Sequence, residues 1–245
     1  MLEGLMQRLG LRRRQPRHPA APVIVLGMHR SGTSLLAGSL QLAGLGLGLV
    51  SEKDRFNARG SRENAGITRF HDAVLEARGF SWKNPPMGEI HWTEAERARA
   101  RAEMAELNIG GIWGFKDPRS LLMLRNWRAL CRDARLVGIF RNPVDVAASM
   151  VAMKACDEAT AYDLWDHYNR RLLALHDEVA FPLLCFDETA DEFHHHLAPM
   201  LPPLGLASLD GPGFYSARLK HRSSARDDIP EDHLPLYDAL LARRG

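Results

Sequence analysis

The stretch Ala21-Pro22-Val23-Ile24-Val25-Leu26-Gly27-Met28-His29-Arg30-Ser31-Gly32-Thr33-Ser34-Leu35-Leu36 decides the fold. Four apolar residues in a row, Val23 to Leu26, end at once on a glycine. An unbroken aliphatic and β-branched run of this kind predicts a strand buried on both faces, as in a parallel sheet. Beyond the polar loop, Leu35, Leu36, Ser39, Leu40 and Leu42 recur at helical spacing, and Gly44, Gly46 and Gly48 punctuate the end. The segment reads strand, glycine-bounded loop, helix.

The same grammar continues outward. A helix is expected from about Ile67 to Arg78, with Phe70, Val74 and Leu75 on one side, and Pro85-Pro86 breaks the chain after it. Thr93-Glu94-Ala95-Glu96 is a capping box opening a charged helix to about Leu107. Ile112 to Phe115 predicts a second strand running into Lys116-Asp117-Pro118-Arg119, with helix from Leu121 to Cys131. Arg135 to Phe140 predicts a third strand, and Pro143 suits the first turn of a helix reaching about Lys154. A long helix spans about Ala159 to Val179. A fourth strand, Phe181 to Phe186, precedes an acidic helix start at Asp187-Glu188. Repeated strand–helix alternation means an α/β fold, a three-layer α/β/α arrangement with a central parallel sheet and helical insertions.

Composition bounds the answer. The 245 residues carry 32 Lys+Arg against 30 Asp+Glu, 45% hydrophobic and 25% charged residues. At roughly 150 residues per domain the length gives about 1.6 domains, read as a basic tail over residues 1–20 and one elaborated domain over 21–245. The near-neutral balance argues against bulk nucleic-acid binding. Three cysteines without a CxxC pair fit a reducing compartment, hence a cytoplasmic protein. Nothing approaches the about 18 consecutive apolar residues of a membrane span. In the first residues the arginines Arg12, Arg13, Arg14 and Arg17 follow the Leu/Met stripe, which is unlike a secretory signal and compatible with weak surface association. Consecutive His194, His195 and His196 point about 100° apart on a helix and cannot share one ion, so no metal is expected. Oligomeric state is not legible.

Gly27-x-x-x-x-Gly32 has the glycine spacing of a P-loop, in which backbone N–H groups and a helix N-terminus cradle a phosphate-like group. A nucleotide triphosphatase would carry Lys after the second glycine; here Thr33 stands there, and no apolar run clearly supplies an Asp for Mg²⁺. The cation is Arg30, inside the loop. The anion cradle is kept and the grip on a γ-phosphate is not. A P-loop small-molecule kinase is therefore the weaker alternative, and a non-catalytic nucleotide-binding protein of the same fold is the other.

Gly27 to Leu35 resembles the 5′-phosphosulfate loop of sulfotransferases that use 3′-phosphoadenosine-5′-phosphosulfate (PAPS). A second block resembles the same family: Gly138-Ile139-Phe140-Arg141-Asn142-Pro143, with Ser149 eight positions after Arg141. The resemblance covers most of residues 21–200 and is nearest to bacterial members, as are the segment Arg62-Glu63-Asn64 through His71-Asp72 and the Lys116 to Arg119 block. It implies PAPS as co-substrate without metal, and a hydroxyl or amine of a carbohydrate or small-molecule acceptor. It implies donor binding by His29, Arg30, Ser31, Gly32, Thr33 and Ser34, with Arg141 and Ser149 on the 3′-phosphate and Arg218 and Lys220 closing over it. Arg30 and Lys116 are the expected catalytic cations. Glu63 is the expected base, with Glu52 and His71 as alternatives. Segments 45–64, 80–92 and 154–162, with Trp82 and Trp92, are expected to shape the acceptor pocket.

Overall fold

A computed structural model describes residues 21–51, 60–107, 110–209, 214 and 224–245. The basic tail expected over residues 1–20 lies outside them. In chain order the elements are β1 (Val23–Leu26), α1 (Thr33–Leu42), α2 (Ala65–Glu76), α3 (Glu94–Leu107), β2 (Gly114–Lys116) and α4 (Ser120–Leu130). They continue with β3 (Arg135–Phe140), α5 (Pro143–Ala152), α6 (Glu158–Glu178), β4 (Leu183–Cys185), α7 (Ala190–Leu197) and α8 (Leu234–Leu241).

The strands form one parallel sheet in the order β2-β1-β3-β4. Every residue of β1 is buried because the sheet is covered on both sides. Side chains alternate across a strand. Val23 and Val25 therefore join Val137, Ile139 and Leu184 under α1 and α7, while Ile24 and Leu26 join Phe115, Leu136 and Phe140 under the remaining helices. This is the three-layer α/β/α arrangement that the alternation predicts. After β1 the chain crosses to β2 on one side and later to β3 on the other, so the strand order switches at the C-terminal end of β1. In open α/β sheets that switch is where a crevice for a ligand opens.

Two strands are shorter than the apolar runs suggest. Ile112 and Trp113 lie before β2, where Trp113 forms an isolated parallel bridge to Gly46 and Ile112 O accepts from Gly46 N at 2.8 Å. At β4, Pro182 has no N–H for a ladder, and regular pairing is limited to Leu183–Cys185. The acidic start expected for α7 at Asp187-Glu188 is also displaced. Thr189 caps the helix in a box with Glu192, which frees Asp187 for a different task at β3.

Candidate active site

The loop between β1 and α1 is built around backbone shapes that few residues tolerate. Gly27 (φ 146°) and Gly32 (φ 90°) lie in the region open to glycine, and between them Arg30 is held at φ 66°. Such strain in a non-glycine residue clusters at functional sites and costs about 1–3 kcal/mol. A methyl group on Gly32 would land on the Phe186 ring. Gly32→Ala is expected to lower stability by roughly 2 kcal/mol or more through backbone strain and overpacking. A melting curve checks this, at about 2–4 °C per kcal/mol for a chain of this size. An unchanged midpoint would mean that the loop does not depend on Gly32.

Gly32 precedes α1 with no side-chain cap and no acidic residue in the first turn. The positive potential of the helix N-terminus is thus neither capped nor neutralised by its own side chains, as an anion cradle requires. Ser31 Oγ is buried without a hydrogen-bond partner among the described residues, and Thr33 is buried beside it. An orphaned hydroxyl in such a loop is a donor waiting for an acceptor. Ser34 Oγ is turned away, donating to Ser61 O at 2.9 Å.

The two sequence blocks meet here. Arg30 Nε donates to Ser149 Oγ at 2.9 Å, joining residues 119 positions apart. Arg141 Nη1 reaches Arg30 O at 3.4 Å, and its guanidinium lies 4.6 Å from the Phe186 ring centroid. Arg30, Arg141 and Ser149 therefore share one crevice at the ends of β1 and β3. Trp165 Nε1 donates to Arg141 O at 2.9 Å, so Trp165, buried in the core on α6 together with Tyr168, also braces the site.

Arg141 has acidic neighbours that the sequence did not reveal. Asp145 Oδ2 lies 3.5 Å from its Nη2, and Asp187 Oδ1 lies 3.9 Å from its Nε. Asp145 also accepts from Ser224 N and Oγ, and Asp187 from Asn142 N at 2.6 Å and Tyr237 Oη at 3.1 Å. Burial pushes the Asp187 carboxyl up, opposed by the Asn142 amide and by Arg141. Burial likewise lowers the Arg141 guanidinium, and the two aspartates raise it.

Lys116 and Glu63 are brought together at the end of β2. Lys116 is almost fully buried and donates to Glu63 Oε1 at 2.6 Å and to Ser61 O at 2.9 Å. Glu63 keeps partial exposure, with 21% of its side-chain surface open. Ser61 O is thus a hub, receiving Ser34 from the anion loop and Lys116 from the sheet. The neighbouring Asp117 plays a structural part. It accepts from Thr68 Oγ1 at 2.8 Å and Arg119 N at 2.8 Å, and faces His71 Nδ1 at 3.6 Å. Burial by itself raises the Asp117 carboxyl; His71 and Arg119 outweigh burial and hold it below the usual carboxylate range.

His71, an alternative base, is fully buried, and its Nε2 accepts from Trp127 Nε1 at 2.9 Å. That places it in the α2–α4 packing away from solvent. His29 is half-buried, with its ring centroid 4.3 Å from that of Trp82. Trp92 is in the core. Glu52, Arg218 and Lys220 lie outside the described residues. No helix among the described residues is long and apolar enough to cross a membrane.

The model of a sulfotransferase family matches residues 22–187, more than half of the chain and including both the loop and the Arg141 block. The chain belongs to the sulfotransferase family. The sulfotransferase domain of the Synechococcus PCC 7002 olefin synthase has a similar fold, with a TM-score of 0.52 at 17% identity over 94% of this chain and 90% of that one. Sulfotransferase STF9 from Mycobacterium avium aligns with a TM-score of 0.51 at 14% identity, covering 99% of this chain and 79% of the other. At such identities the likeness concerns the fold. No curated protein matches in sequence. In this sulfotransferase the uncapped α1, the buried Ser31 hydroxyl and the cations Arg30 and Arg141 fit a ligand bearing phosphate groups. The family reading also displaces the kinase alternative, in keeping with Thr33 at the position where a kinase needs its lysine.

Proposed function

We propose that this sulfotransferase, acting as one catalytic unit over residues 21–245, takes its sulfuryl group from PAPS. The acceptor is a hydroxyl or amine of a carbohydrate or small molecule. The observation that carries the reading is the Arg30–Ser149 hydrogen bond, which unites the two family-like blocks in one crevice. PAPS supplies, when bound, an SO₃ group on a phosphate leaving group. The loop amides of residues 27–34, Ser31 Oγ and Arg30 would hold the 5′ side, and Arg141 with Ser149 the 3′-phosphate.

As in phosphoryl transfer, catalysis is then mostly positioning and stabilisation of charge on oxygen. Arg30 keeps a fixed positive fork beside the leaving oxygen, and Lys116 offers its charge to the sulfuryl oxygens. Glu63 takes the proton of the acceptor hydroxyl as the acceptor oxygen bonds to sulfur. The bond from sulfur to the phosphate oxygen breaks, and its electrons leave with 3′-phosphoadenosine 5′-phosphate (PAP). In the resting site Lys116 holds Glu63 at 2.6 Å. Drawing Lys116 towards anionic oxygens loosens that pair and frees the carboxylate as donor and acceptor assemble.

The test is ligand-dependent melting. PAP at ~100 times its dissociation constant is expected to add about 2.7 kcal/mol, or roughly 5–10 °C for this chain, and ATP with Mg²⁺ much less. A shift with ATP–Mg²⁺ alone overturns the proposal.

A further inference from the structure

His29 is an oddity in the anion loop. It adjoins Arg30, yet its Nε2 is shielded from water without a hydrogen-bond partner, and neither ring nitrogen is hydrogen-bonded among the described residues. Leaving a buried polar atom unpaired costs about 1–3 kcal/mol, and such an atom calls for an explanation. The ring's neighbours come from the segment 80–92, expected to border the acceptor, and from the buried face of α6. Trp82, in the connection between α2 and α3, lies against it with the rings 4.3 Å apart and tilted by 35°, and Tyr168 of α6 meets it edge-on at 6.1 Å.

Trp82 is itself clamped. Tyr168 Oη donates to Trp82 O at 3.1 Å, and Lys83 Nζ lies 5.2 Å from the Trp82 ring centroid while donating to Ala155 O at 2.6 Å. The clamp ties residues 82–83 to α6 and to the turn after α5, joining the segments 80–92 and 154–162 that are expected to border the acceptor. We propose that His29 lines the acceptor subsite as a neutral hydrogen-bonding ring for an uncharged hydroxyl, and that Trp82 is the positioning residue that fixes it. The assignment rests on the reading that the rest of the loop holds PAPS.

Charge supports the same chemistry. Burial holds the His29 imidazole well below its ordinary value, with Arg119, Lys116 and Arg30 pushing the same way and Asp117 opposing them. A neutral ring accepts or donates a hydrogen bond without adding another cation to a crevice already lined by Arg30, Lys116 and Arg141. The acceptor it suits is therefore a neutral sugar or phenolic hydroxyl rather than an anionic group.

The experiment uses the full chain with ¹⁵N-labelled histidine, saturated with PAP and titrated with methyl β-D-glucopyranoside or 2-naphthol as hydroxyl probes. One of the two probes is expected to move the His29 ring-nitrogen signals saturably, those signals being assigned by their loss in His29→Phe. That variant keeps a ring against Trp82 and removes the nitrogens. An acceptor role, in contrast to the donor contact that the family resemblance implies for His29, requires the variant to keep the PAP-induced melting shift and to bind the probe about three- to tenfold more weakly, as one lost hydrogen bond implies. Loss of that shift in His29→Phe alone returns His29 to the donor site and overturns the assignment. Trp82→Leu should weaken the probe while the PAP shift persists, and His29→Gln should recover part of the affinity lost in His29→Phe. Silence of the His29 signals with both probes, or wild-type probe affinity in His29→Phe, overturns the assignment. Failure of PAP to raise the wild-type melting temperature instead overturns the donor reading on which it rests.

Discussion

Glu63→Gln is expected to slow sulfuryl transfer by about 10²- to 10⁴-fold while PAP affinity stays near that of the native protein, the loss typical of a missing general base. The side chain sits where such a role is mechanically reasonable. One oxygen is held by Lys116 at 2.6 Å, and partial exposure leaves the carboxylate approachable from the acceptor side. Gln is nearly isosteric, and its carbonyl still accepts from Lys116 Nζ beside Ser61 O, so the buried lysine keeps its hydrogen bonds while it loses its counter-charge. A lower melting temperature of the unliganded variant is therefore expected, with the fold retained. The readout is PAP release from PAPS in the presence of sugar and phenolic acceptors, set beside the PAP-induced melting shift. Wild-type turnover removes Glu63 from the mechanism. Loss of the melting shift along with turnover would mean that Glu63 acts by holding the site together through Lys116 and Ser61.

The layered fold was legible because its signals are local. Val23 to Leu26 is apolar at every position only because both sheet faces are covered, and Gly27 and Gly32 mark backbone shapes that side chains rarely adopt. Arg141 and Ser149 were legible for a similar reason, since a strand end and two helical turns fix where they must lie. The pairings across the site were not. Nothing in the spacing says that Lys116 would meet Glu63 rather than the adjacent Asp117, because Asp117 is drawn to Thr68, Arg119 and His71 by the packing of α2 against α4. Asp187 was read as part of a helix start, since an acidic residue before a helix is favourable in any fold. Only the capping of α7 by Thr189 and the closeness of β4 to β3 turn Asp187 towards Arg141. Acidic residues around a phosphate-binding arginine leave no periodic trace. They can be found only once the strand order is known.

Arg141→Ala is expected to have the largest effect on the folded state as well as on PAP. The guanidinium is a cation shared by Asp145, whose side chain is fully buried, and Asp187, which is 14% exposed. Removing one partner of a buried pair costs about 3–5 kcal/mol because the remaining charge is uncompensated. The pH dependence follows from Asp187, whose carboxyl burial already raises and Arg141 helps to restrain. Without Arg141 it rises further. A carboxyl raised in the folded state contributes stability below its unfolded value of about 3.9 and loses it as pH climbs through the folded value. The deficit of Arg141→Ala against wild type should therefore be greatest at neutral pH and narrow as pH falls towards the unfolded carboxyl value. Arg141→Lys keeps the positive charge but not the planar fork. It should preserve most of the stability and still weaken PAP by about tenfold or more, because a point charge cannot reproduce bidentate contacts to phosphate. Denaturation midpoints at several pH values, with PAP titrations on both variants, separate the two roles. A melting temperature for Arg141→Ala equal to wild type across that range would show that the aspartates do not depend on the arginine. Unchanged PAP affinity in Arg141→Lys would take the guanidinium fork out of the 3′-phosphate site.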